Sequence, residues 1–144
     1  MSEANRQVAL DFLKAMDEGD ADGMARCTTP DAVTNTQGFA GVSGQRSREM
    51  MLATASAFKD IVPTGFRPKI EKVVAEGDAV VIEFQGDAVL SSGEPYCNQY
   101  VFVFTFENGK IRQLNEYFCT VLADRVMLPL LAQKGKEFAE GDAG

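Results

Sequence analysis

Glu116 is the first residue in this chain that could do chemistry. The run Leu114-x-Glu116-x-Phe118 puts one carboxylate on the same strand face as two apolar side chains, because successive side chains of a strand alternate between faces. On a buried face an unpaired carboxylate is costly. Burial raises its pKa and turns it into a general acid or base near neutral pH. The structural alternative is a Glu116 neutralised by Arg112 or by a helix amino terminus, since ion-pair networks also perturb carboxylates. A second run, Tyr96-x-Asn98-x-Tyr100, leads on the same face into Phe102, Phe104 and Phe106. From one strand away, Tyr100 and Asn98 are placed to hold Glu116 or to polarise a substrate oxygen. Tyr96 reads more simply as a core residue whose hydroxyl finds a backbone partner. Asn98 is out of character, because Asn is depleted in strand interiors.

Other chemistries are excluded by composition. The chain has no histidine, which rules out His-based triads and His-ligated metal. Cys27, Cys97 and Cys119 are scattered without metal-ligand spacing and fit reduced thiols. Cys119 reads as a buried, inert thiol pointing away from any pocket. The Gly38–Gly44 loop lacks the lysine and the strand–helix setting of a phosphate loop. A net charge of −7 repels phosphate backbones, so nucleic acid is not an expected partner. No apolar run approaches the roughly 20 residues of a membrane span, and the first residues do not read as a signal peptide. The chain is therefore expected to be cytoplasmic.

These residues need elements to position them. At 144 residues one domain is expected, assigned to 1–132, with a charged, flexible tail over 133–144. Val8, Ala9, Phe12, Leu13 and Met16 form an apolar stripe on a helix over 3–18, with Ser2 as N-cap. Gly19 closes it, and Asp20 caps a short second helix over 21–27. After Pro30-Asp31 comes a strand over 32–36, then a third helix over 45–61 begun by Ser43 or Gly44, with Met51, Ala55, Phe58 and Val62 on its buried side. From Phe66 the period switches to two, giving strands over 68–75, 79–90, 95–106 and 110–120. Asn108-Gly109 between two such runs is a strong hairpin signal. Thr120 caps a last short helix over 121–127, which Pro129 ends.

The order helix, helix, strand, helix, four strands makes an α+β domain with helices gathered on one face of a curved antiparallel sheet around one pocket. The chain resembles the nuclear transport factor two-like superfamily, and within it the SnoaL-like and ketosteroid-isomerase-like proteins. The resemblance rests on Glu18-Gly19-Asp20 after an amphipathic helix, on Pro30-Asp31-Ala32-Val33, on the Tyr96–Phe104 strand, and on Asn108-Gly109-Lys110-Ile111 leading to Glu116-Tyr117-Phe118. It implies a cone-shaped sheet with the Tyr96–Phe106 face and Leu114, Glu116 and Phe118 inward, joined by Thr34 and Thr36. A regular two-residue hairpin at Asn108-Gly109 would instead pair Tyr100 with Tyr117. A bulge in one strand reconciles the two, and the facing of Glu116 depends on it.

The resemblance also narrows the activity. The base, tyrosine and aspartate positions of ketosteroid isomerases fall here at Thr36, Phe12 and Phe102, so that mechanism is absent. Epoxide hydrolases of the limonene type match at Glu116, but their arginine and second acid fall near Phe84 and Gly86. Cyclases that pair an acid with a histidine find no histidine. What remains is a pocket for a small, largely apolar organic molecule, with cofactor-independent proton transfer by Glu116 and Tyr100. Asn98, Phe12, Met16, Thr34, Thr36, Met51, Phe58, Phe84, Phe102, Leu114 and Phe118 are the expected lining. The alternatives are a non-catalytic binding domain or an interaction module. Val101 and Val103, on the opposite face, leave an apolar sheet surface that predicts a homodimer through the sheet.

Overall fold

Helix α1 (Ser2–Glu18) buries Ala9, Phe12, Leu13 and Met16, the stripe its spacing predicts. The structure is a computed structural model and describes residues 2–134; most of the expected tail lies outside the described residues. Gly19, at φ +66°, ends α1, and a Cβ there would run into the Lys59 side chain. This is a position only glycine fills. Asp20 then caps α2 (Ala21–Cys27) by accepting from the Gly23 amide at 3.0 Å.

Strand β1 (Thr28–Thr36) starts earlier than its sequence suggests and is followed by a short strand β2 (Gly44–Ser47). The third helix, α3 (Arg48–Ile61), therefore begins later than expected: Ser47, not Ser43 or Gly44, is its N-cap, accepting from the Met50 amide. The expected continuous strands 79–90 and 95–106 each divide. They form β4 (Ala79–Gln85) with β5 (Ala88–Val89), and β6 (Pro95–Tyr96) with β7 (Gln99–Glu107). β3 (Lys69–Glu76) and β8 (Lys110–Phe118) complete the set. The six-stranded sheet runs β2-β1-β8-β7-β4-β3, and β5 and β6 pair as a separate flap. The meander β3-β4-β7-β8 is antiparallel, whereas β1 joins β8 in parallel.

At the β7–β8 hairpin Asn108 and Gly109 adopt φ of +51° and +79°, the left-handed pair that a tight two-residue turn needs. Two pairs beyond it the register slips. Phe106 faces Ile111 but Thr105 faces Gln113, so Arg112 is the extra residue of a bulge. Beyond the bulge Tyr100 pairs with Phe118 and Phe102 with Glu116, and every side chain of β8 after it has changed face. Helix α4 (Thr120–Val126) follows, with Cys119 rather than Thr120 at its N-cap. A further helical stretch, α5 (128–134), carries Pro129 in its first turn, where a missing N–H costs nothing. Pro129 thus opens a helix instead of only ending one, and residues 133 and 134 belong to it. Lys134 of α5 ties to Asp60 of α3 at 2.9 Å. The core lies between the helices and the concave face of the sheet, with Phe12 set edge-on to Phe104 at 5.7 Å.

Candidate functional site

The bulge at Arg112 turns Glu116 into the concavity. There it sits between Phe102 of β7 and Thr36 of β1, its partners in the two neighbouring registers. The Thr36 hydroxyl donates to Glu116 Oε2 over a long 3.4 Å and accepts from Arg46 Nη1 at 3.1 Å. Arg46, on β2, also donates from Nη2 to the Val42 carbonyl at 2.8 Å. Among the described residues neither Glu116 nor Arg46 makes an ion pair. Arg112 pairs instead with Glu107 at 3.4 Å, which removes it as the neutralising partner of Glu116.

Glu116 borders an open space on one side and protein on the others, so it is half-buried in exposure yet poorly solvated. Burial pushes its carboxyl up to about 7, against the downward pull of Arg46 and of the Thr36 hydroxyl. Desolvation outweighs both. Tyr100, 6% exposed, has a hydroxyl outside good hydrogen-bond geometry with any described residue, and the Tyr96 phenol lies close enough to interact with it. Burial raises its pKa well above the usual phenol range. The Tyr96 phenol is also raised by burial, and its oxygen accepts from Asn98 Nδ2 at 3.0 Å.

The space itself is a cavity of about 120 Å³. It is lined by Phe12 and Met16 of α1, by Met51, Thr54, Ala55 and Phe58 of α3, and by Thr34, Thr36, Arg46, Tyr96, Tyr100, Phe102, Glu116 and Phe118 from the strands. Ala123, Met127 and Leu131 close it from the C-terminal helices, and Met24, Val42 and Phe66 fill the margins. Thr34 spends its hydroxyl on the Met51 sulfur at 3.1 Å. The polar groups thus gather on one wall: Glu116, Thr36, Arg46, Tyr96 and Tyr100. No group of three or more His, Cys, Asp or Glu residues could hold a metal among the described residues.

Three residues expected at the cavity do not line it. Phe84 is buried behind it, stacked on Tyr100 at 4.7 Å and edge-on to Phe102 at 4.9 Å. Leu114 lies one step deeper along β8, against Phe104. Asn98 is wholly engaged elsewhere. Its Oδ1 accepts from the Gln99 and Cys119 amides at 2.8 and 3.0 Å, and its Nδ2 donates to the Cys119 carbonyl and Tyr96. It replaces a ladder partner where the strand breaks, which explains an asparagine at this point, and it is not a donor to Glu116. Cys119 is exposed, not buried, because it sits where β8 leaves the sheet to start α4. Arg46 was missed by sequence reasoning, since a helix over 45–61 put it on a helical surface. The helix-start signal Ser47-Arg48-Glu49, a good N-cap followed by an acid in the first turn, would have returned it to a strand.

The fold is shared with many solved structures. Bal32a, from a soil-derived mobile gene cassette, is 20% identical with a TM-score of 0.76, over 87% of this chain and 97% of that one. An NTF2-like protein of Burkholderia xenovorans is 22% identical with a TM-score of 0.70, over 88% and 97% of the two chains. An LEH-like epoxide hydrolase of Mycobacterium tuberculosis is 20% identical with a TM-score of 0.69, over 91% and 94%. At such identities the likeness extends to the fold alone. No curated protein sequence matches significantly. The SnoaL-like domain family matches residues 9–114, ending two residues before Glu116. The chain therefore belongs to the SnoaL-like domain family, on an NTF2-like fold.

Proposed function

We propose that this protein binds a small, largely apolar organic molecule in the cavity and moves a proton on it without a cofactor. Isomerisation, cyclisation and dehydration are the reaction types in reach. The observation that carries the reading is Glu116, a carboxyl without an ion pair among the described residues, set beside a few polar neighbours on the wall of a mostly apolar cavity. With a pKa of about 7 it populates both forms at neutral pH, which favours both taking up and returning a proton. Thr36 orients one oxygen of the carboxyl. The Tyr100 phenol, held protonated by burial and in no well-formed hydrogen bond among the described residues, is suited to donate to an oxygen on which charge develops.

The expected setting is a cytoplasmic homodimer joined through the outer face of the sheet. There Val81, Val101 and Val103 are half-buried, and Val74 and Tyr117 are 50% and 46% exposed. The test follows α-proton exchange of acetophenone in deuterated buffer by NMR, together with a carboxyl-carbon titration of Glu116. Exchange above the buffer rate that is lost in Glu116→Gln supports the proposal. A Glu116 pKa at or below the ordinary range of about 4.3, or exchange indifferent to the substitution, overturns it and leaves a binding module.

A further inference from the structure

Arg46 is a fixed positive charge facing a cavity whose other lining is mostly hydrocarbon. Arg46 is half-buried, so it carries part of the cost of an unpaired charge at an apolar wall. A guanidinium offers five N–H donors. Arg46 spends donors on two neutral oxygens, Thr36 Oγ1 and the Val42 carbonyl. The chain is acidic, at −7 overall, yet no carboxylate lies within ion-pair distance of Arg46 among the described residues. Thr36 stands between Arg46 and Glu116, its hydroxyl accepting from the one and donating to the other. The wall therefore holds a forked cation, a hydroxyl, a carboxyl and the Tyr100 phenol.

We infer that the cavity's ligand is a small monocarboxylic acid, whose carboxylate docks on Arg46 beside Glu116 and whose single ring or short chain fills the apolar space. The inference rests on the proposed reading of this cavity as a ligand site. A planar carboxylate matches the guanidinium fork as a neutral carbonyl does not. Size bounds the apolar part: a dry cavity of about 150 Å³ holds one benzene ring, so this one, at about 120 Å³, has room for no more than a single ring or a short chain. Adjacent carboxylates cannot both ionise readily, so a docked carboxylate requires Glu116 in its protonated, donating form. Binding then takes up a proton wherever Glu116 is ionised in the free protein. The groups facing Glu116 that bear on this are Arg46 from β2, Tyr96 from β6 and Tyr100 from β7. Helices α1, α3 and α4 present only uncharged side chains to the cavity.

The experiment compares benzoate with its neutral isostere benzamide by calorimetry on the intact chain at pH 6 and pH 8. Benzoate is expected to bind at least about tenfold tighter than benzamide at pH 6, a single charge-assisted contact's worth. Above the Glu116 pKa its affinity is expected to fall about tenfold per pH unit, with benzamide unaffected. Arg46→Met is expected to abolish the preference for benzoate over benzamide. Should that variant not fold, the pH dependence in the unaltered protein decides. Benzamide binding without a benzoate preference, or a preference that survives in Arg46→Met, overturns this inference and leaves the proposed function standing. Failure of both probes to bind overturns the cavity reading itself.

Discussion

Replacing Glu116 by Gln should make the folded protein more stable at high pH and change how its stability depends on pH. The folded carboxyl titrates near 7, against an ordinary value of 4.5. A folded pKa above the unfolded one means that the native state holds the proton more tightly. The contribution to stability is fully present below about pH 4.5 and is lost as pH rises to about 7. Each unit of difference is worth about 1.4 kcal/mol, so the loss is at most about 3 kcal/mol by pH 8. The cavity lets in some solvent screening, which makes this an upper bound. Gln keeps the shape, does not titrate, and can still accept from Thr36. Urea unfolding at pH 5, 6, 7 and 8 reads the effect. With m near 1–3 kcal/mol/M for small domains, the wild-type midpoint should fall by about 1–2 M from pH 5 to pH 8. The Gln variant should lose this component, so the two midpoints diverge as pH rises. Burial pushes Cys27, Tyr96 and Tyr100 upward from their ordinary values of 9.0 or 10.0, so they do not titrate in this window. Parallel pH profiles for the two proteins would refute the claim that Glu116 is a desolvated acid.

Tyr100→Phe removes a buried hydroxyl that makes no well-formed hydrogen bond among the described residues. Thermal unfolding should show stability unchanged or raised by about 1 kcal/mol, while Glu116-dependent proton exchange falls; a clear loss of stability would reveal a hidden partner. Asn98→Ala removes four side-chain hydrogen bonds and should cost about 2–4 kcal/mol in chemical denaturation, with the Glu116 pKa little changed. Val103→Glu on the outer face of the sheet should give a folded monomer where light scattering finds the parent protein dimeric; a parent that is monomeric at micromolar concentration would end the dimer proposal.

Much of the fold was legible locally. The α1 stripe, the Asp20 cap and the Asn108-Gly109 turn are settled by residues within a few positions of one another, through side-chain spacing, a cap hydrogen bond and left-handed backbone. The four-strand meander followed from period-two patterning and its turns. Sequence alone could not choose which face of β8 looks inward. A regular hairpin and a bulged one both satisfy the Asn108-Gly109 turn, and they place Glu116 on opposite sides. The choice falls to the sheet as a whole, because the bulge at Arg112 lets Leu114, Glu116 and Phe118 follow Phe104, Phe102 and Tyr100 onto one face. The parallel seating of β1 against β8 and the strand that carries Arg46 were hidden for the same reason. Thr36, Arg46 and Glu116 are brought together by pairings between distant segments. Local patterning records which residues prefer burial. Which charge ends up beside which, and hence how strongly Glu116 holds its proton, depends on long-range register and on the desolvation that only the assembled cavity imposes.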